Sequence, residues 1–381
     1  MKTIYFDYNA TTPLDPAVRE AMLPFMGEIF GNPSSVHHVG RRARALLDDA
    51  RDRVATVWRS KPSEVVFTSG GTESNNLAIF GAARLMREKG RHLITSTIEH
   101  HAVLHGFQYL EKKEGFVVTY VPVNAAGIVS SDDVKKAIRP DTTLVSIMSA
   151  NNETGSLQPV AEIGDICRSR RVLFHTDAVQ SFGKQPFDSI HQFNADLVSV
   201  CAHKFHGPKG AGALFIKSPL LPDPIIFGGG HENERRAGTE NVAGYLGFAE
   251  ALERFVRPPV FESEKLGKLT NRLIEFVRTL DGVAFRGSLR ERLPNTVAFT
   301  VKGCDSILLL AGLDLEGVCA SSGSACSAGS LEPSHVMSAM GVEKSSANSL
   351  VRFSLGRDST EEEVRLAQEV FRNVINRGRG H

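Results

Sequence analysis

A glycine-rich segment early in the chain has residues that can hold an anion. Thr68-Ser-Gly-Gly-Thr-Glu-Ser-Asn75 follows a predicted strand and begins a predicted helix. Glycines let the backbone approach a ligand closely, and the free N–H groups of a helix N-terminus attract negative charge. Thr72 adds a hydroxyl, so this turn is a candidate phosphate site. It matches neither common nucleotide-binding glycine motif, and a glycine turn with a threonine cap is the alternative.

Asp177 lies at the carboxyl end of another predicted strand, in Phe174-His-Thr-Asp-Ala-Val-Gln180. Open α/β sheets bind their ligands at this edge. A carboxylate there can pair with a pyridinium nitrogen and keep it protonated, so that the ring withdraws electrons. The alternative is an aspartate that caps the next helix.

Lys204 follows an apolar strand in Cys201-Ala-His-Lys-Phe-His-Gly-Pro-Lys-Gly210. Burial lowers the pKa of a lysine, and such an amine can form a Schiff base with an aldehyde cofactor. His203 and His206 have a spacing seen in metal sites, but no acid or cysteine stands at ligand spacing, so no metal is expected. A phosphate turn, an acid and a lysine, in this order, are the three contacts that pyridoxal phosphate needs.

Cys326 stands among small residues in Val318-Cys-Ala-Ser-Ser-Gly-Ser-Ala-Cys-Ser-Ala-Gly-Ser-Leu-Glu-Pro333. We expect an exposed, mobile loop there, which suits a reactive thiol rather than a structural one. Cys201, three residues before Lys204, is the rival thiol, although its position on a strand favours burial.

Arg352 interrupts the apolar strand of Leu350-Val-Arg-Phe-Ser-Leu-Gly-Arg357. A guanidinium in such a place needs an anionic partner. The carboxylate of an amino-acid substrate would serve, and an internal salt bridge to an aspartate or glutamate is the alternative.

The bulk composition is that of an ordinary globular protein. Its 381 residues include 44 basic and 43 acidic side chains, a net charge of +1, which argues against a nucleic-acid or membrane-surface binder. Five scattered cysteines without a C-x-x-C pair argue against a disulfide framework and a zinc site. The N-terminal residues lack the pattern of a signal peptide, and a cytoplasmic protein is expected.

From about residue 60 the pattern alternates between strand and helix, which predicts an α/β fold with a mainly parallel sheet and helices on both faces. The segments 196–202 and 212–217 are predicted as two neighbouring strands, antiparallel to each other. A predicted helix over 241–255 ends at Arg257-Pro258-Pro259, a plausible domain boundary. The remainder predicts a smaller α+β domain.

Ten motifs in order make the chain similar to the cysteine desulfurases (NifS/IscS-like) of the class-V aminotransferase family. They are FDYNATTP, FGNPSSVH, FTSGGTESNN, EHHAV, NNETG, TDAVQS, AHKFHGPKG, RAGTEN, SSGSAC and VRFSLGR. The resemblance runs essentially end to end. It implies fold type I, with a seven-stranded sheet in a large domain over residues 16–257 that binds pyridoxal 5'-phosphate. Residues 1–15 and 258–381 would form the small domain that carries the catalytic cysteine loop.

The resemblance also implies a role for each matching residue. Lys204 would carry the cofactor, His100 would stack on its ring and move protons, and Cys326 would accept sulfur from L-cysteine as a persulfide. Arg352 would bind the substrate carboxylate, with Asn32 nearby. The implied cofactor contacts are Gly71, Thr72, Asn152, Asp177, Gln180, Cys201, His203 and, from the other subunit of a homodimer, Thr239.

Three departures from the family pattern affect these expectations. Cys201 stands where a phosphate-binding serine is common, Ala237 replaces a common serine, and the chain stops soon after its last helix. An iron–sulfur scaffold is the expected sulfur acceptor, and some members of the family dock it through a further C-terminal tail. Selenocysteine lyase activity, an aminotransferase, and a non-catalytic partner in a sulfur relay are the competing functions.

Overall fold

The computed structural model describes residues 3–323 and 333–378. Its strands form one large sheet and two small ones. The strands are β1 (Ile4–Tyr5), β2 (Val65–Thr68), β3 (His92–Ser96), β4 (Val117–Val121), β5 (Thr142–Ser146), β6 (Leu173–Asp177), β7 (Leu197–Cys201), β8 (Gly212–Ile216), β9 (Val283–Arg286), β10 (Thr296–Val301), β11 (Val318–Cys319) and β12 (Leu350–Ser354).

The large sheet has seven strands in the order β2-β8-β7-β6-β5-β3-β4. Only β8 runs against its neighbours, β2 and β7, and the other pairs are parallel. The mainly parallel seven-stranded sheet is therefore confirmed, as is the antiparallel pairing of β7 with β8. Because the remaining strands share one direction, their carboxyl ends meet at one edge of the sheet.

Helices connect the strands and cover the sheet. They are α1 (Pro16–Met22), α2 (His38–Trp58), α3 (Gly71–Leu85), α4 (His101–Glu114), α5 (Ser131–Ala137), α6 (Val160–Arg170), α7 (Val242–Phe255), α8 (Ser263–Arg278), α9 (Ser306–Leu315), α10 (His335–Ala339), α11 (Lys344–Ala347) and α12 (Glu361–Gly378). Gly115 ends helix α4 with φ +72°.

The sequence reasoning missed α2, which lies before the region it interpreted. The buried face of α2 has the spacing of an amphipathic helix, with Ala43, Leu47, Ala50, Val54 and Trp58 inside. All of these side chains except Ala43 belong to the same buried cluster as side chains of α7. Helix α2 thus covers one face of the large sheet.

A second set of buried side chains surrounds the antiparallel sheet β12-β10-β9. Helices α8, α9 and α12 contribute their apolar faces to it, and so do Ile4, Phe6 and Tyr8 from the N-terminal segment. This arrangement agrees with the predicted α+β character of the C-terminal part. The exact domain boundaries stay a prediction.

The N-terminal segment is fastened to β12 by close packing and hydrogen bonds. The N–H of Ser354 donates to the Phe6 carbonyl, and the N–H of Tyr8 donates to the Ser354 carbonyl. A side chain at Gly356 would overlap the buried ring of Tyr8. Glycine at 356 therefore lets the segment pass on towards the large sheet.

We expect Gly356→Ala to lower the free energy of unfolding by about 1–3 kcal/mol, because the new methyl group has no space beside Tyr8. Gly267→Ala is the control: position 267 lies within α8, and a Cβ there meets nothing within 4 Å. That change should be neutral or stabilising. Denaturation midpoints at saturating cofactor test this, and equal midpoints for the two variants would contradict it.

Candidate active site

A cavity of about 230 Å³ lies at the carboxyl edge of the large sheet. Several of its walls are strand ends or the turns that follow them, because parallel strands deliver their ends to the same place. The residues that line it are Asn9, Ala10, Gly71, Thr72, Asn75, His100, Met148, Ala150, Asn152, Asp177, Val179, Gln180, Cys201, His203, Lys204 and Arg352.

The N-terminus of α3 forms one end of this cavity. Gly70, with φ +150°, precedes the helix and has no side chain to cap its first N–H groups. A Cβ on Gly71 would lie 2.7 Å from Cγ2 of Val179, so only glycine leaves this approach open. A 15-residue helix with free N–H groups and Thr72 beside them suits a phosphate.

Cys201 lies beside this helix end, at the last position of β7. Its side chain is buried, as its place on a strand predicted, and burial raises the pKa of the thiol to about 11. A thiol with such a pKa is protonated near neutral pH and is a weak hydrogen-bond donor. Cys201 is thus poorly suited to act as a nucleophile and is placed to contact a phosphate.

Asp177 ends β6 and faces the cavity with its carboxylate held in place. Oδ2 accepts a hydrogen bond from Nδ2 of Asn75 at 2.7 Å, and Oδ1 accepts one from the N–H of Val179 at 3.0 Å. These donors orient the carboxylate. The alternative of a helix-capping aspartate is not observed, because residues 179–184 form turns rather than a helix.

Two histidines of the cavity are electrically neutral near pH 7. Burial lowers the pKa of His203 to about 3, and it also lowers the pKa of His100. Nδ1 of His100 accepts a hydrogen bond from the N–H of Ala102 at 3.1 Å, which leaves the ring proton on Nε2. His203 shares a hydrogen bond with the Thr11 hydroxyl at 3.1 Å.

Lys204 follows β7 in a short 3₁₀ turn, and its amine contacts the N-terminal segment. Nζ donates to the backbone oxygens of Asn9 at 2.6 Å and Ala10 at 2.8 Å. No salt bridge involves this amine among residues 3–323 and 333–378. Burial, together with the positive charge of Arg352, lowers the pKa of Lys204. A larger fraction of the amine is therefore uncharged and nucleophilic at neutral pH than in an exposed lysine.

Arg352 forms the internal salt bridge that the sequence left open. Nη2 donates to Oδ1 of Asp7 at 2.7 Å, and Nη1 donates to the backbone oxygens of Asn152 and Gly323 at 2.8 and 2.7 Å. The buried Nε has no partner within the described part of the chain. Two of the five N–H groups of Arg352, that of Nε and one on Nη2, therefore have no partner there, and Arg352 lines the cavity.

Two of the predicted site residues do not reach the cavity of their own chain. Asn32 is exposed and its Oδ1 accepts from the N–H of Ser34 at 2.8 Å, and Thr239 is exposed as well. Cys326 lies outside the described residues. The other predicted residues come together around the cavity.

The sequence reasoning missed Asn9, Ala10 and Asn75, which line the cavity, and Asp7, which pairs with Arg352. Asn9 and Asp7 belong to the FDYNATTP motif, so the motif was a signal that they have a role. Asn75 is the last residue of the glycine-rich segment Thr68–Asn75. Spacing alone could not place any of them beside Asp177 or Lys204.

Within the described residues, no group of three or more His, Cys, Asp or Glu side chains is arranged to hold a metal ion. His203 and His206 each bond to the segment around Thr11 and Pro13 instead. None of the described helices combines the length and the apolar character that a membrane span requires.

The residues present fit pyridoxal phosphate. The glycine cradle at Gly71 suits the phosphate, the oriented carboxylate of Asp177 suits a pyridinium nitrogen, and the amine of Lys204 suits an aldehyde. The guanidinium of Arg352 suits the carboxylate of an amino acid. These four contacts line one cavity.

The lowered pKa of Lys204 predicts how fast cofactor-free protein captures pyridoxal phosphate at different pH values. The rate should rise with pH while the amine loses its proton, and it should level off below pH 10.5, the ordinary lysine value. Stopped-flow absorbance measures the rate, with Lys204→Arg as the control that captures none. A rate that still rises steeply through pH 10.5 would contradict the prediction.

Comparisons with known proteins agree with this site. Residues 4–366 match the family described as aminotransferase class-V. A cysteine desulfurase IscS from Dictyoglomus turgidum is 46% identical over 377 residues, covering 99% of this chain and 95% of its own.

Two solved structures are also similar. A NifS-like protein has a TM-score of 0.91 at 38% identity, covering 98% of this chain and 99% of its own. SspA in complex with cysteine has a TM-score of 0.82 at 37% identity, covering 94% and 100%. With the cavity described above, these matches show that the chain belongs to the class-V aminotransferase family, in its cysteine desulfurase branch.

Proposed function

We propose that the protein is a pyridoxal-phosphate-dependent cysteine desulfurase that converts L-cysteine to L-alanine and moves the sulfur to Cys326 as a persulfide. The observation that carries the proposal is the meeting of Lys204, Asp177, His100 and the α3 N-terminus in one cavity. The relatives named cysteine desulfurase, and the similar structure that holds cysteine, support the substrate.

The cofactor would be held at its phosphate by α3, Gly71, Thr72, Cys201 and His203, and at its ring by Asp177, His100, Asn152 and Gln180. When bound, it supplies an electron sink that acidifies the Cα–H bond of the substrate. The oriented carboxylate of Asp177 keeps the ring nitrogen protonated. The amine of Lys204, whose pKa is lowered by burial, would take the Cα proton.

The sulfur step then needs a thiolate. Cys326 attacks the substrate sulfur, an S–S bond forms, and the Cβ–S bond breaks with its electron pair going to carbon. Carbon is protonated, which gives alanine, and the enzyme keeps one extra sulfur. An ordinary thiol has a pKa of about 8.5, so a proton acceptor near Cys326 is required. His100 or the bound cofactor is the proposed acceptor, and His100 could take the proton at Nδ1 only by giving up the hydrogen bond from the Ala102 N–H.

The substrate carboxylate would bind the guanidinium of Arg352 by exchange with its present partners. Nη2 now bonds Asp7, while Nη1 bonds backbone oxygens. Binding of a carboxylate would therefore compete with Asp7 for the guanidinium. Asn32 is proposed as a further contact, although in this chain it lies at the surface.

The direct test supplies cysteine and selenocysteine side by side to the cofactor-loaded protein and measures alanine. We expect alanine from cysteine together with persulfide on the protein. Turnover of selenocysteine alone would favour a selenocysteine lyase. Purified protein that binds no pyridoxal phosphate would favour a non-catalytic partner in a sulfur relay.

Serine substitutions decide between the two candidate thiols. Cys326→Ser should keep the absorbance of the bound cofactor and lower persulfide formation by about 100-fold or more, since the nucleophile is lost. Cys201→Ser, the matched control, should keep persulfide formation and bind pyridoxal phosphate at least as tightly, because a hydroxyl donates more strongly than a thiol. Mass spectrometry after alkylation locates the persulfide. Its loss in Cys201→Ser alone would contradict the assignment.

The protein is also proposed to be a homodimer in which Thr239 completes the phosphate site of the other subunit. Thr239 is exposed and does not line its own cavity. Phe30, Val36 and Phe227 expose 79%, 87% and 80% of their surfaces, and contacts between subunits would remove these apolar side chains from water. A cytoplasmic location and an iron–sulfur scaffold as sulfur acceptor complete the proposal.

Mixed dimers test this sharing. Lys204→Ala cannot carry the cofactor and Thr239→Ala lacks a phosphate contact, but a mixed dimer has one complete site. Subunits of the two variants, unfolded and refolded together, should bind pyridoxal phosphate at a concentration where neither variant alone does. Absorbance titration after gel filtration measures it. Absence of restored binding, or a monomer by sedimentation, would contradict the proposal.

A further inference from the structure

Lys184 is a fully buried lysine that the proposed chemistry does not use. It has no exposed surface, and no salt bridge reaches it within residues 3–323 and 333–378. Its Nζ donates to Oε1 of Gln180 at 2.5 Å and to Oδ1 of Asn9 at 2.8 Å. The ring of Phe261 covers it at 5.3 Å. An amine buried among amides needs an explanation, because burial of an unpaired charge is costly.

The contacts of Lys184 match those of an uncharged amine. Such an amine has two hydrogens to donate, and two amide oxygens receive them. Burial, and the nearby positive charges of Lys204 and Arg352, lower the pKa of Lys184 well below its ordinary value. Lys184 therefore acts on its surroundings through hydrogen bonds.

The first consequence concerns Gln180, which lines the cavity. Its Oε1 is occupied by Lys184, and its Nε2 donates to the backbone oxygen of Asn9 at 3.1 Å. This pattern fixes the amide so that NH₂, with one hydrogen still free, is the group available to a ligand. With Lys184 absent, the amide could turn and present its oxygen instead.

The second consequence concerns Asn9, whose side chain is fully engaged. Oδ1 accepts from Lys184 and from Nδ2 of Asn295 at 3.1 Å, while Nδ2 donates to the Thr296 hydroxyl at 2.9 Å and to the Asn152 backbone at 3.2 Å. The backbone oxygen of Asn9 in turn accepts from the amine of Lys204 at 2.6 Å. Lys184 thus shares one buried residue with Lys204.

The chain enters this position through a turn that requires glycine. Gly183 has φ +72°, and a Cβ there would lie 2.8 Å from Cβ of Phe205. The turn directs Lys184 back towards Gln180, four residues earlier. The glycine turn thus places the side chain of Lys184 in the interior instead of at the surface.

We propose that Lys184 is a positioning residue: it holds Gln180 as a hydrogen-bond donor towards the phenolic oxygen of the cofactor and sets the place of the Asn9 carbonyl that holds the Lys204 amine. This inference rests on the proposed function for the identity of the cofactor. It assigns to Lys184 no contact with substrate or cofactor.

Lys184→Met keeps the length and removes the donors, and Gln180→Leu removes the residue that Lys184 orients. Each change should weaken binding of pyridoxal phosphate by about tenfold, the size of a lost hydrogen bond of that kind. The double variant should lose less affinity than the sum of the two single losses, since part of the effect of Lys184 acts through Gln180 and the rest through Asn9. Absorbance titration of cofactor-free protein gives the dissociation constants.

A second readout separates positioning from a general loss of stability. A hydrogen-bond donor at the phenolic oxygen withdraws negative charge from that oxygen. The positive charge on the neighbouring imine nitrogen, which joins the cofactor to the lysine, is then less well stabilised, so the pKa of this nitrogen is lower. Loss of that donor should shift the pH midpoint of the absorbance change of the bound cofactor upward by about half a unit. Phe261→Leu, the matched control, keeps the hydrogen bonds of Lys184 and should leave both the midpoint and the affinity unchanged within about twofold.

Lys184→Gln keeps a hydrogen-bond donor and replaces the methionine variant if that variant does not fold. Its affinity for pyridoxal phosphate should fall by less than that of Gln180→Leu. Equal affinity and midpoint in Lys184→Met and the parent protein would overturn the proposal, and so would strictly additive losses in the double variant. Parent protein that binds no cofactor would instead overturn the proposed function. The two failures are therefore distinguishable.

Discussion

The contact between the Lys204 amine and two carbonyl oxygens of the N-terminal segment is the constraint on which the site depends. A buried amine must have hydrogen-bond acceptors, and those of Asn9 and Ala10 lie 2.6 and 2.8 Å away. These carbonyl oxygens accept hydrogen bonds from the amine but carry no full negative charge. A carboxylate in their place would raise the pKa of the amine and keep it protonated. The segment that supplies them is bonded at Phe6 and Tyr8 to β12. The position of the Lys204 amine therefore depends on the hydrogen bonds that attach the N-terminal segment to β12.

The large sheet supplies the opposite walls. Strand β6 ends at Asp177 and β7 ends at Cys201, and these strands pair in parallel, so both ends arrive at one edge. Helix α3 begins at the same edge with free N–H groups. Each element brings one functional group, and only the sheet fixes the distances between them. Hydrogen bonds from Asn75 and from the Val179 backbone then orient the carboxylate of Asp177.

Local pattern predicted much of this arrangement. Apolar strands followed by polar residues identified Asp177 and Lys204, and glycines before a helix identified Thr72. The contacts of Asn9, Asp7 and Lys184 could not be predicted, because they join segments that are far apart in sequence. For example, Arg352 and Asp7 are separated by 345 residues. A strand with one arginine shows that a partner is needed, but it does not show which one.

The most direct measurement identifies the lysine that carries the cofactor. Protein loaded with pyridoxal phosphate is reduced with borohydride, digested and analysed by mass spectrometry. The account predicts the phosphopyridoxyl group on Lys204 alone, because Lys204 lines the same cavity as Asp177 while the amine of Lys184 is enclosed by amides and Phe261. The same group on Lys184 or Lys209, or on no lysine, would contradict it.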